Sequence, residues 1–127
     1  MDWKELSGQI PESDIIRALD DDGDGAADES AWAKVQADAE ERIAGALGGK
    51  PEEKYADVAK LARKLFLLET LFTRRWAGEK NPFTGRAADA EKRLRALASG
   101  EESQSGNAEP LIIGTPSKLA GFGGLLG

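Results

Sequence analysis

An all-α fold is predicted for this 127-residue chain, and three observations predict it. Apolar residues recur at three- and four-residue spacings over long stretches, and no segment alternates apolar and polar residues as a half-buried strand would. Helix punctuation, with Asp, Ser, Thr or Pro before each periodic run and Gly after several, divides the chain into about four to five helices. After Ser99 the periodicity stops. A small helical bundle over residues 1–98 is therefore expected, followed over 99–127 by a polar linker and an extended C-terminal arm.

The first element, "DWKELSG", has Asp2 as N-cap with Glu5 three residues on, the capping-box spacing, and Gly8 as a stop. In "PESDIIRALD", Pro11 suits a first helical turn and Ile15, Ile16 and Leu19 share one side. An acidic stretch follows. Asp28 or Ser30 then caps "ESAWAKVQADAEERIAGAL", where Trp32, Val35, Ala39, Ile43 and Leu47 form a stripe opposite Asp38, Glu40, Glu41 and Arg42. Gly48, Gly49 and Pro51 end it.

The central helix, "EEKYADVAKLARKLFLLETLFTRRW", is the most apolar. Tyr55, Val58, Leu61, Ala62, Leu65, Phe66, Leu68, Leu71, Phe72 and Trp76 cover more than half its circumference, so neighbours are expected on several sides. A break at "AGEKNPFTGR" precedes a last helix ending near Ala98, with Phe83, Ala87, Ala90, Leu94 and Leu97 inward and Arg86, Lys92, Arg93 and Arg95 outward. Trp3, Trp32 and Trp76 are expected as core or interface anchors.

Composition narrows function. With no Cys and no His, disulfides, thiolate zinc sites and imidazole or thiol catalysis are excluded, and an enzyme is not expected. A net charge of −6 argues against a general nucleic-acid binder. The charge is uneven: residues 1–50 hold 13 acids and 5 bases, residues 51–98 hold 7 acids and 11 bases. Lys60, Arg63, Lys64, Arg74 and Arg75 read as a solvated or subunit-facing helix edge. The apolar runs are too short for a membrane span, and the amino terminus has acids where a signal peptide is apolar, so a soluble protein made in the cytoplasm is expected.

The acidic stretch "DDDGDGAADE" carries the strongest candidate for metal chemistry. Calcium takes six to eight oxygens, and a D-x-D-x-D-G loop supplies them at alternate positions while glycine permits the turn. Asp20, Asp22 and Asp24 occupy positions 1, 3 and 5, the Ala26 carbonyl position 7 and Asp28 position 9. Position 12, where a bidentate Glu closes such loops, is Ala31, and Glu29 comes too early. The competing interpretation is a helix–helix turn in which Gly23 and Gly25 take positive φ, an Asp side chain holds the turn and Asp28 caps the next helix.

The arm raises a different question. Leu111, Ile112, Ile113, Leu119, Phe122, Leu125 and Leu126 are apolar but interrupted by Gly and Pro. A glycine-rich end costs much entropy to order, so its own core, a neighbouring subunit or another protein is expected to hold it, a partner surface ahead of the chain's own core.

In order, "DDDGDGAADE", "AWAKVQADAEERIAGAL", "VAKLARKLFLLETLF", "AADAEKRLRALASGE" and a "P-S-K-L-A-G-F"-like ending resemble a family of tailed-bacteriophage head–tail connectors, the small adaptor or head-completion proteins of Mu-like and many siphophage-type genomes. The likeness runs from about Ser13 to Phe122. The chain departs from it in "GGKPEEKYADV", where the family has a "Y-P-L-P"-like segment, and in the glycine content of its last residues. The resemblance implies a virion neck protein forming a homo-oligomeric ring of about twelve copies under the portal protein. Such a ring extends the channel through which genomic DNA passes without sequence-specific binding, and offers a surface to a head-closure (stopper) or tail protein. It also implies that the arm, Leu111 to Leu126, reaches the portal. The acidic loop by itself is similar to those of dockerin-like and EF-hand-like modules, which implies calcium binding as the alternative.

Overall fold

The structure is a computed structural model and describes residues 2–100. Among these residues it is all-helical, with four α-helices, two short 3-10 turns and no strand. The arm residues Leu111, Ile112, Ile113, Leu119, Phe122, Leu125 and Leu126 lie outside the described residues.

The capping box at Asp2 is present, but it opens a single 3-10 turn, Trp3–Leu6. Asp2 Oδ1 accepts from the Lys4 N–H at 3.0 Å, and the Asp2 N–H donates to Glu5 Oε2 at 3.4 Å. The turn ends ahead of Gly8, and it plants Leu6 in the core. Helix α1 spans Glu12–Ala18, with Pro11 just outside as N-cap. Ile15 and Leu19, four residues apart, are buried; Ile16, rotated about 100° away, is only half-buried.

Helix α2, Glu29–Leu47, buries Ala31, Val35, Ala39, Ile43, Ala46 and Leu47 and stops at Gly48, whose φ of 59° lets its N–H return to the Ala44 carbonyl at 3.1 Å. The apolar central segment is not one continuous helix. Glu52–Tyr55 forms a 3-10 turn, Tyr55 leaves helical geometry, and helix α3 then runs Ala56–Arg75. Helix α4, Thr84–Ala98, buries every residue expected to face inward, Phe83 included.

Helix α3 is the hub: α1, α2 and α4 all pack on it, and α2 also meets α4. That is why its buried set is the largest, with Phe66, Leu67, Leu68 and Leu71 almost fully enclosed. Each such side chain stabilises the fold by about 1.5–3 kcal/mol relative to exposure. Trp3, Trp32 and Trp76 pack at the edge of this core, half-buried.

Two expectations about faces need correction. Arg42 does not point to solvent. Its guanidinium lies 4.1 Å from the centroid of the Phe66 ring, bonded to Glu69 on α3 at 2.8 Å and to Glu91 on α4 at 2.9 Å. Burial disfavours the charged guanidinium, but the two carboxylates outweigh it and raise its pKa. Desolvation likewise works against ionised Glu91, and Arg95 and Arg42 together outweigh it, leaving Glu91 below the usual range. Leu61, expected in the core, is instead 56% exposed.

The basic edge of α3 is not simply solvated either. Arg63 bonds Glu40 of α2 and Glu52. Arg75 bonds Asp14 of α1 at 2.9 Å, and Arg74 bonds both the Ala18 carbonyl and Asp21. The charge asymmetry between the two halves of the sequence is thus used in part within one chain, fastening the acidic N-terminal half to α3.

Candidate functional site: the acidic loop between α1 and α2

The loop starts where Leu19 ends α1 and closes on itself: the Asp28 N–H donates to the Leu19 carbonyl at 2.9 Å. Inside this ring the carboxylates serve the backbone. Asp20 Oδ1 accepts from the N–H groups of Gly23 at 2.8 Å and Asp24 at 3.0 Å, and Oδ2 from Gly25 at 2.8 Å. Asp22 Oδ1 accepts from Asp24 at 3.1 Å, and Asp24 Oδ1 from Ala26 at 2.9 Å. Gly23 and Gly25 have φ of 78° and 83°, the left-handed region in which a side chain is strained. The turn therefore folds as expected, with an Asp side chain at its centre.

Asp28 differs in detail. It occupies the N-cap position of α2, and its carbonyl receives the Trp32 N–H at 3.0 Å, but its carboxylate does not cap the helix. Asp28 Oδ2 turns back into the loop and accepts from the Asp21 N–H at 2.8 Å. The Asp21 carboxylate points the other way, to Arg74.

This arrangement brings four of the five candidate ligands together. One carboxylate oxygen from each of Asp20, Asp22, Asp24 and Asp28 lies within 4.8 Å of the other three. Ala26 takes part through its N–H, which donates to Asp24. Position 12 of the calcium pattern, Ala31, is buried in the core on α2, so the loop has no closing carboxylate there. Each ionised carboxylate offers about four lone-pair directions. Asp20 uses three on backbone amides, while Asp22, Asp24 and Asp28 each use one in the loop. Acceptor capacity for a hard cation therefore remains.

Charge within the loop divides the acids. The Gly25 N–H, with those of Asp24 and Gly23, holds Asp20 below the ordinary carboxylate range. The Asp24 N–H pulls Asp22 down too, but lost hydration and the neighbouring Asp24 and Asp20 carboxylates outweigh it, and Asp22 is pushed up. Within the loop the ionised form is thus favoured at Asp20 and disfavoured at Asp22. A divalent cation among them would relieve that resistance.

Sequence reasoning missed a second surface. Exposed Leu61 borders a shallow groove of about 280 Å³ between α3 and α4 and another of about 310 Å³ beside the amino-terminal 3-10 turn. No described helix is long and apolar enough to cross a membrane. No protein-family profile, curated protein or solved structure matches the chain.

Proposed function

We propose that this chain is a structural subunit of a tailed-phage neck: a head-to-tail adaptor that forms a ring under the portal, lengthens the DNA channel and offers a docking surface to a head-closure or tail protein. No catalytic step belongs to this role. The observation that supports it is the order of the resembling segments, of which four begin within the described residues, one to a structural unit, while the "P-S-K-L-A-G-F"-like ending lies outside them. "DDDGDGAADE" is the loop leading from α1 into α2, "AWAKVQADAEERIAGAL" is α2, "VAKLARKLFLLETLF" lies within hub helix α3, and "AADAEKRLRALASGE" begins within α4. Ring growth by about twelve copies uses outward side chains such as Arg86, Lys92 and Arg93 against acids of the neighbour. The arm from Leu111 to Leu126 holds the ring to the portal.

The test is size. Sedimentation and negative-stain images of the full chain, alone and with portal, are expected to show rings. Removing residues 109–127 is expected to abolish portal binding while the helical body stays folded. A chain that never forms rings, and whose shortened form still binds portal, overturns the reading.

A second reading rests on the four convergent carboxylates: a small calcium-binding interaction module built on Asp20, Asp22, Asp24 and Asp28, with the Ala26 carbonyl as a further ligand. It requires a calcium affinity of about 1 μM, the sensor range. Calorimetry on the wild type, Asp22→Ala and Asp24→Ala separates it from the neck reading, which needs no such affinity.

A further inference from the structure

Leu61 is the exposed large hydrophobic side chain among the described residues, in a fold that otherwise buries its aliphatic residues well. Of the two grooves it borders, the one between α3 and α4 has Leu65 and Ala90, both buried, as its floor and Arg86, Asp89 and Arg93 along its rim. We propose that this α3–α4 groove receives Leu111–Ile113 of the same chain, so that in the free protein the arm folds back on the body.

Reach, charge and sequence select this occupant. Ala90 lies ten residues before Gly100, about 15 Å back along α4 at the helical rise of 1.5 Å per residue. The ten residues from Glu101 to Pro110, as a coil, have a root-mean-square span of roughly 16–19 Å. A linker whose natural length matches the distance gives the highest effective concentration of the tethered segment. The path retraces the outer face of α4, where Arg86, Lys92 and Arg93 are exposed, and the linker brings Glu101, Glu102 and Glu109 along it. Beyond Gly100, Leu111–Ile113 is the run of three consecutive large aliphatic residues; the later apolar residues are diluted by glycine. A second copy would have to supply the same segment without the tether.

The fold-back contact concerns the free chain and stands or falls separately from the neck reading. In a neck it would be exchanged for the portal, so the arm is kept covered until its partner arrives.

The chain has no cysteine, so a nitroxide on Ala108→Cys in the full chain is a unique probe. Amide signals of Leu61, Leu65, Ala90 and Arg93 are expected to be broadened, and Leu61→Gln, at an exposed site, is expected to restore them. Wild-type signals that stay sharp overturn the proposal, as does broadening that survives Leu61→Gln. Mixing spin-labelled chains with isotope-labelled chains lacking the nitroxide tests the second copy: broadening across chains at the same strength overturns the intramolecular contact. Circular dichroism of each variant verifies that the helices remain.

Discussion

Two connections between helices in this molecule are held by opposite chemistry. From α1 to α2 the chain turns on ionised carboxylates: Asp20 gathers three backbone N–H groups, and Asp28 ties the loop's two ends. From α3 to α4 it turns on a neutral amide and an aromatic ring. Asn81 Nδ2 donates to the Glu69 carbonyl at 2.8 Å and to Thr73 Oγ1 at 3.1 Å, its Oδ1 accepts from the Phe83 N–H at 2.9 Å, and Phe83 is buried edge-on to Phe72. A turn nailed by a buried ring is insensitive to pH and ions. A turn wound around carboxylates trades that robustness for responsiveness.

The largest effect that sharpens this contrast is Phe83→Ala. It should cost about 3–5 kcal/mol in urea unfolding, the range for emptying a buried aromatic site. Next comes Asn81→Ala, which frees three polar groups and should cost about 1–2 kcal/mol, with the same cost at pH 7 and at pH 4.

The acidic turn should behave differently. Asp20 has its folded pKa below the ordinary value of 3.8, so the stabilisation it gives is complete above that value and disappears as pH falls through the folded one. Glu91 contributes with the same sign, so the loop's share is isolated by the difference between wild type and Asp20→Asn across an acid titration of unfolding midpoints. That difference should be clear at pH 6 and shrink steadily in acid. Asp22 has the reverse sign: its raised pKa makes its charge unfavourable at neutral pH. Asp22→Asn keeps the Oδ1 acceptor for Asp24 and should raise the midpoint at pH 7. If both Asn substitutions destabilise equally, the division of labour in the loop is wrong.

The smallest effect expected on the neck reading is that of calcium, which should leave the unfolding midpoints of the wild type and of Asp22→Ala unmoved at millimolar concentration. A site of the affinity that the cation reading requires would instead stabilise the wild type by about 4 kcal/mol by mass action on the native state, and Asp22→Ala would lose most of that gain.

Most of the fold was legible because periodicity and punctuation agreed: the capping box at Asp2, the glycine after α2 and the inward face of α4 all fall where spacing puts them. The failures are instructive. Arg42 lies three residues after buried Ala39 and four before buried Ala46, so its position on the inner face was available from spacing; its charge argued otherwise until Glu69 and Glu91 came from two other helices to meet it. Leu61 is the converse case. It lies three residues after Val58 and four before Leu65, both buried, and periodicity placed it inside. It is exposed because a helix pattern states which face is apolar, not whether a neighbour covers all of that face. The loop's hydrogen bonds could be anticipated in kind from its Asp and Gly content. The turning of Asp28 away from the helix it begins could not, since Asp21 competes for the same oxygen.

One fastening has mechanical meaning. Lys50, just past the end of α2, donates from Nζ to the Ala98 carbonyl at 3.1 Å, gripping the last turn of α4. A pull on the chain beyond Gly100 would therefore be shared between α4 and the end of α2. A pull from beyond Gly100 would load first the Gly100 N–H bond to the Leu97 carbonyl and the Ser99 N–H bond to the Arg95 carbonyl, and then the Lys50 clasp on Ala98. The body is built so that a load at its exit is delivered to the bundle through α2 as well as α4, a joint that spreads tension before it can unwind.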